Sequence, residues 1–168
     1  MYYLNLLIIP KLQNHNFSVR YKDMKILINY ATVSGNSAML AQQLSDKLKE
    51  MHADKEFVYK DADECKGEDY NQYDLVLYVS SSWDDGDLNM IAEDYLNQLP
   101  DLGGKKFALI GLGDTGYPHF CGAVEKTEAA LQAKGATLVG TAHKIDGFIE
   151  DEIVAKALAW SDEVVKGL

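Results

Sequence analysis

Short apolar runs alternate with amphipathic segments along the chain from Met24 onward. Five of these runs have the length and composition of buried strands, and the third is apolar throughout, as is typical of a central strand in a parallel sheet. The predicted strands are Ile26–Tyr30, Glu56–Tyr59, Leu75–Ser80, Lys106–Gly111 and Thr137–Ala142. Strands that are separated by helical segments indicate βαβ units around a parallel sheet.

Four segments between and after these strands carry apolar residues at helical spacing. Pro100 ends the second of these helices, and Gly135 is suited to cap the C-terminus of the third. The predicted helices are Asn36–Glu50, Leu88–Leu99, Ala123–Leu131 and Glu150–Lys166, with only a weak helix in the acidic stretch Asp61–Gln72. The pattern therefore predicts an α/β fold, a doubly wound five-stranded parallel sheet with helices on both faces.

The chain is strongly acidic, with 26 Asp and Glu against 16 Lys and Arg and a formal net charge of −10. This balance argues against nucleic acid as a partner, because phosphate contacts need clustered Lys and Arg. The acidity belongs to residues 24–168, since Lys11, Arg20 and Lys22 outnumber the one acid, Asp23, before them. Partners with basic surfaces are favoured instead.

Residues 1–23 precede the first strand and supply no motif, so we interpret them as a dispensable extension of a domain that covers 24–168. Their apolar stretch, Leu6–Ile9, is too short to cross a bilayer and lacks the features of a signal peptide. Cys65 and Cys121 form no disulfide framework, and no metal-ligand spacing joins them to the four histidines. These features favour a cytoplasmic protein without a membrane or metal association.

Ligands of doubly wound domains bind at the carboxyl ends of the strands, near the point where the strand order reverses. Three loops follow predicted strands at that edge: the first loop (32–37), the second loop (81–87) and the third loop (112–122). Residues that contact a ligand are therefore expected in these loops.

The first loop joins a strand to a helix, so its backbone N–H groups and the helix N-terminus are suited to bind an anion. Its residues are Thr32, Val33, Ser34, Gly35, Asn36 and Ser37. No Lys or Arg is present, and the loop lacks the G-x-x-x-x-G-K-[ST] pattern that binds a triphosphate with magnesium. A single terminal phosphate is the ligand this composition favours. The alternative is a helix start capped by Ser or Asn, with no ligand.

The second loop places Trp83 among polar and acidic residues, beside Ser81, Ser82 and Asp84. A tryptophan in such surroundings needs a large apolar partner, and a planar cofactor is one. Packing of Trp83 back onto its own domain is the alternative.

The third loop begins with Gly111–Gly116, which formally matches the dinucleotide motif G-x-G-x-x-G. The last glycine of that motif should open a helix, but Tyr117 and Pro118 follow it instead. No acidic residue ends a strand about 20 residues later, where a ribose contact would need one. The motif therefore gives little support to dinucleotide binding.

The first loop resembles the phosphate-binding pattern of flavodoxins, Ser/Thr-x-Ser/Thr-Gly-Asn-Ser/Thr, with Val33 where a hydroxyl residue is frequent. The stretch Gly113–Gly122 resembles the second flavin-binding loop of short-chain flavodoxins. The direct run from Thr137 to Glu150 leaves no room for the insertion that marks the long-chain group. The resemblance covers residues 24–168 and implies the flavodoxin-like strand order 2-1-3-4-5.

The resemblance also implies a bound FMN, with Trp83 on the inner face of the flavin and Tyr117 on the outer face. Backbone groups near Asp114, His119 and Cys121 would meet the pyrimidine edge, and Cys121 would act in packing, not as a nucleophile. The FMN-binding residues expected on this basis are Thr32, Val33, Ser34, Gly35, Asn36, Ser37, Ser81, Ser82, Trp83, Asp84, Gly113, Asp114, Tyr117, His119, Phe120 and Cys121. No catalytic residue and no metal ligand is expected.

In function, the resemblance implies a monomeric, low-potential carrier of single electrons between redox enzymes, not an enzyme itself. The acids near the predicted flavin site would disfavour added negative charge. Two alternatives remain: a flavodoxin-like FMN-dependent reductase that uses a nicotinamide, and a module that activates one partner enzyme. A response regulator of similar fold is excluded, because the first strand ends in Tyr30-Ala31-Thr32 and lacks an acidic pair.

Overall fold

The structure is a computed structural model that describes residues 24–168, so the predicted extension at 1–23 lies outside the described residues. Apolar runs form the strands, and segments with helical spacing form the helices between them. The strands are β1 (Lys25–Ala31), β2 (Glu56–Asp61), β3 (Leu75–Trp83), β4 (Asp87–Leu88), β5 (Lys106–Gly113), β6 (Thr137–Leu138) and β7 (His143–Asp146). The helices are α1 (Asn36–Met51), α2 (Met90–Gln98), α3 (Gly122–Ala133) and α4 (Asp151–Lys166).

The sheet has the order β2-β1-β3-β5-β6, with β7 also paired to β5 and β4 paired to β3. All pairs except β3–β4 are parallel. Counting β6 and β7 as two halves of one interrupted edge strand, this is the predicted order 2-1-3-4-5. The order reverses between β1 and β3, so the carboxyl ends of these two strands flank the expected binding crevice.

Alternate residues of the central strands pack on opposite faces of the sheet. In β3, Leu75, Leu77 and Val79 contact the face that α1 and α4 cover, while Val76 and Tyr78 contact the face that α2 and α3 cover. Both sets are buried, which accounts for the continuous apolar run in the sequence. The prediction of helices on both faces is confirmed.

The fifth predicted strand, Thr137–Ala142, has the wrong boundaries. The chain leaves the sheet after Leu138, passes through Gly140 at φ 70°, and re-enters it as β7 at His143–Asp146. Because residue 140 adopts a left-handed conformation, a continuous strand is interrupted there. The carboxyl end of this edge strand therefore lies at Asp146, four residues beyond the predicted end.

Two further local features differ from the predictions. The stretch 61–72 contains two short 3₁₀ turns, Ala62–Cys65 and Tyr70–Gln72, and no α-helix. Residues 87–88 form a short antiparallel strand with the end of β3, where the end of a loop and the first residue of the second helix were predicted, and that helix begins at Met90 instead of Leu88. The cap at Gly135 is confirmed, because its N–H and that of Ala136 donate to the carbonyls of Gln132 and Leu131, respectively.

Candidate functional site

A cavity of about 380 Å³ lies at the carboxyl ends of β1, β3 and β5, where the sheet order reverses. All three loops contribute to its walls, together with the turn that follows β7. The lining residues are Ser34, Asn36, Ser81, Ser82, Trp83, Asp84, Gly86, Leu112, Gly113, Asp114, Tyr117, His119, Cys121, Gly147 and Phe148. The fold thus assembles one site from segments that are far apart in the sequence.

The first loop leaves the N-terminus of α1 without a side-chain cap. The N-cap residue is Gly35, at φ 92°, and the Thr32 hydroxyl accepts the Gly35 N–H at 2.9 Å. The alternative of a Ser- or Asn-capped helix is therefore wrong. The first-turn N–H groups lack an intrahelical acceptor, so they are available to an anion.

Ser37 lies in the first turn of α1 and is fully buried. Its Oγ has no hydrogen-bond partner within the described residues. A buried hydroxyl without a partner is costly, typically by about 1–3 kcal/mol. A bound phosphate would accept hydrogen bonds both from this hydroxyl and from the uncapped N–H groups of the first turn.

Two aromatic side chains flank the cavity from different loops. Trp83, at the end of β3, is 42% exposed, and Tyr117, in the third loop, is 51% exposed. Large rings with this much free surface are uncommon in a small soluble domain unless they serve an interface or a ligand. The pair is suited to enclose a planar aromatic group between them.

The second and third loops approach each other closely at two glycines. A Cβ placed on Gly86 would lie 2.6 Å from the His119 carbonyl oxygen, and one on Gly122 would lie 2.9 Å from the Gly86 carbonyl oxygen. The Ser82 hydroxyl also accepts the N–H of Ala123 at 3.2 Å. Backbone thus packs directly on backbone, which fixes the distance between the two loops that carry Trp83 and Tyr117.

A carboxylate also bridges these loops. Asp85 accepts the His119 N–H at one oxygen (3.0 Å), and its other oxygen lies 2.8 Å from His119 Nδ1. These hydrogen bonds, first from the His119 backbone and then from its side chain, lower the pKa of Asp85. The sequence predicted only a backbone role for His119, and within the described residues its carbonyl accepts the Gly122 N–H at 3.0 Å.

The third loop is also anchored to the end of β7. Asp146 accepts both the hydroxyl (2.7 Å) and the backbone N–H (2.9 Å) of Thr115. These two bonds lower the pKa of the Asp146 carboxyl. The Gly147 N–H donates to the Gly113 carbonyl at 3.1 Å. The loop that carries Tyr117 is therefore attached on both sides.

Cys121 serves as the N-cap residue of α3, at φ 53°. Its thiol is buried, lies 3.5 Å from the Gly111 carbonyl oxygen, and has a pKa that burial raises above the ordinary thiol value. Sulfur also fills the space in which a Cβ on Gly113 would lie, at 2.7 Å. These contacts fit the expected packing role, because a thiol with a raised pKa is a poor nucleophile.

Eleven of the sixteen predicted site residues line the cavity. Of the other five, Thr32, Val33, Gly35 and Ser37 belong to the first loop at its edge. Phe120 lines an adjoining groove on the outer side of the third loop. The structure thus brings the predicted set together, and the individual roles of these residues in cofactor binding stay predictions.

Sequence reasoning missed Gly86, Leu112, Gly147 and Phe148 as lining residues. Phe148 is 81% exposed at the cavity rim, in the turn between β7 and α4. The available signal was an unpaired aromatic in a polar turn, the same signal that identified Trp83. It was overlooked because the preceding strand was predicted to end at Ala142.

Two kinds of feature are absent from residues 24–168. No group of three or more His, Cys, Asp or Glu side chains is arranged to hold a metal ion. No helix in this range has the length and apolar character that a membrane crossing requires.

Comparison with known proteins gives concordant matches. The family model described as flavodoxin matches residues 28–160. The flavodoxin of Maridesulfovibrio salexigens is 33% identical over 147 residues, which cover 83% of this chain and 99% of that protein. Probable flavodoxin 1 of Bacillus subtilis is 36% identical over 152 residues, or 84% and 95% of the two chains. The crystal structure of oxidised flavodoxin 1 from Bacillus cereus aligns with a TM-score of 0.75 at 31% identity, over 86% of this chain and 99% of that one.

Proposed function

The chain belongs to the flavodoxin family, and on this basis we propose that it carries single electrons between redox enzymes on one noncovalently bound FMN. The observation that carries this proposal is the pairing of two features in one cavity. One is the uncapped start of α1 with the orphaned Ser37 Oγ, and the other is the exposed ring pair of Trp83 and Tyr117. FMN has one phosphate and one planar ring system, which match these features.

The first loop is the part that would bind the phosphate. Its backbone N–H groups and hydroxyls donate hydrogen bonds, and the N-terminus of α1 favours negative charge. With no Lys or Arg in the loop, the site suits the single phosphate of FMN better than a longer phosphate chain. Riboflavin, which lacks the phosphate, should bind much more weakly.

The second and third loops would enclose the ring. When bound, FMN supplies the one-electron chemistry, and the chain supplies binding, orientation and the surrounding field. Four carboxylates lie in or beside these loops: Asp84, Asp85, Asp87 and Asp114. They raise the free energy of added negative charge, and the aromatic pair limits the water that would screen them. This supports a low reduction potential.

The reductase and activating-module alternatives are not favoured, since relatives that this chain matches over 95%, 98% and 99% of their length are flavodoxins. A direct check is NAD(P)H oxidation by the purified, FMN-loaded protein without any partner. We propose that this activity is absent and that the protein passes electrons only to protein partners.

We further propose a monomer in the cytoplasm that docks on basic surfaces of its partners. The charge of −10 supports electrostatic attraction to such surfaces. Both cysteines are free and buried, which suits a reducing compartment. Residues 1–23 precede the family match at 28–160, which supports their being dispensable, and a variant that begins at Met24 should bind FMN as the full chain does.

The experiment that tests the electron-carrier function is a reductive titration of the purified protein, followed by its absorption spectrum. We expect a yellow protein with one FMN per chain that takes up two electrons at two separate midpoint potentials. A chain that binds no FMN, or whose FMN takes up both electrons at a single potential, would contradict the proposal.

A further inference from the structure

The second and third loops are joined by a side-chain pair beside the cavity, in which His119 lines the cavity and Asp85 lines the adjoining groove. Asp85 contacts His119 through both carboxylate oxygens, one to the backbone N–H and one to Nδ1 of the imidazole. The two side chains are 48% and 71% exposed, respectively, so solvent reaches the pair. This pair is called the clasp below.

The clasp lies where the two loops already touch through backbone. Gly86 follows Asp85 and packs on the His119 carbonyl and on Gly122 with no space for a Cβ. Trp83 lies two residues before Asp85, and Tyr117 lies two residues before His119. Separation of the loops must therefore break the clasp and also move the two rings apart.

From this geometry we propose that Asp85 and His119 are positioning residues that keep the second and third loops closed over the flavin and thereby slow the release of FMN. The proposal rests on the proposed function, since it takes FMN as the ligand. A bridge that pre-forms the closed loops lowers the ordering cost of binding. Neither side chain needs to contact the flavin for this effect.

The charged side chains of α3 beside the clasp have partners of their own. Lys126 pairs with Asp87, and Glu125 pairs with Lys144. Glu125 lines the same groove as Asp85 and His119 but is paired elsewhere, so it offers a charge-matched control for the clasp.

The test measures the rate of FMN release from the recovery of flavin fluorescence after dilution into a trap. Four proteins are compared: wild type, Asp85→Asn, His119→Gln and the double variant. Glu125→Gln is the matched control, because it removes an equal charge from the same groove without touching the clasp.

We expect Asp85→Asn and His119→Gln each to release FMN about threefold faster than wild type, the scale of an exposed ion pair. Glu125→Gln should release FMN at the wild-type rate. The double variant should release FMN no faster than the faster single variant, because both substitutions remove the same interaction. Equal release rates in wild type and His119→Gln, or single effects that multiply in the double variant, would overturn the proposal. A wild type that binds no FMN would instead contradict the proposed function.

A second measurement tests the contact between Asp85 and His119 in the FMN-free protein. His119→Gln should raise the pKa of the Asp85 carboxyl toward its ordinary value, as followed by carboxyl NMR, while Glu125→Gln should leave it in place. An unchanged Asp85 titration in His119→Gln would show that the imidazole does not bond this carboxylate, and would overturn the proposal independently of FMN.

Discussion

The first loop and the two loops that face it are built in different ways. The first loop is local: six consecutive residues and the start of one helix provide its donors, and the Gly35 N–H donates to the Thr32 hydroxyl within the same loop. The second and third loops depend on distant residues, through Asp85 with His119, Ser82 with Ala123, and Thr115 with Asp146. A short sequence motif can therefore specify a phosphate site, whereas a ring site needs the assembled fold.

This difference predicts that the second and third loops tolerate an added methyl group less well than the first loop does. Gly86→Ala should destabilise the protein by about 2–4 kcal/mol, since it combines the cost of φ 84° with a clash against backbone. FMN binding should weaken as well, because the two loops must separate. Chemical denaturation and FMN fluorescence quenching measure the two effects.

Gly67→Ala is the matched control for that substitution. Gly67 has φ 72° but nothing within 4 Å of its would-be Cβ, so it shares the backbone cost without the clash. Gly67→Ala should lower the free energy of unfolding by about 1 kcal/mol and leave the FMN affinity unchanged. Equal losses in the two variants would show that the close approach of the loops contributes nothing.

In the first loop, Ser37→Ala should weaken FMN binding by about tenfold or more, the scale of a hydrogen bond to a charged group. The free protein should keep its stability, because the removed Oγ has no hydrogen-bond partner among residues 24–168. Ser45→Ala is the control, since Ser45 is an equally buried serine of α1 whose Oγ is also orphaned. A similar loss of FMN affinity in Ser45→Ala would indicate a general effect on α1.

Acid should loosen the third loop before the first. Hydrogen bonds lower the pKa of Asp85 and Asp146, so these carboxylates stabilise the fold above their unfolded pKa, and this stabilisation is lost as pH falls below about 4 through their folded pKa. The first loop has no ionisable side chain. NMR shifts of the Thr115 and His119 amides should move in this range, while that of Gly35 stays constant. A common midpoint for all three would contradict the comparison.

The smallest effect is expected from the charge of Asp84. Asp84→Asn removes one carboxylate beside the ring and keeps similar backbone preferences at φ 43°. The lower of the two one-electron potentials should rise by about 10–40 mV, which corresponds to a screened, exposed charge. Asp54→Asn, beyond the other end of α1, should leave both potentials unchanged in a spectroelectrochemical titration.

The fold followed from the sequence wherever burial on both faces dictated it. The apolar runs of β1, β3 and β5 predicted the central strands, and the helical spacing predicted all four helices. The edge strand was less predictable. Gly140 interrupts it, although residues on either side of the glycine belong to the sheet. Because the strand was predicted to end at Ala142, Asp146 and Phe148 were not placed at its carboxyl end and were left out of the predicted site.

The site was predictable as far as it is local. The first loop follows a contiguous pattern, and its residues lie together at the cavity edge as expected. The contacts of Asp85 and Asp146 lie 34 and 31 residues away in the sequence, so only the folded chain brings their partners within 3 Å. A polar side chain alone does not reveal such a distant partner, although it does indicate that one is needed.

The central claim is that the first loop binds the phosphate while the other loops bind the ring. It is tested most directly by the affinities of the full-length protein for FMN and riboflavin, measured side by side by fluorescence quenching. The account predicts that FMN binds tighter by at least about 100-fold, since several charge-assisted hydrogen bonds depend on the phosphate. Comparable affinities for the two flavins would contradict it.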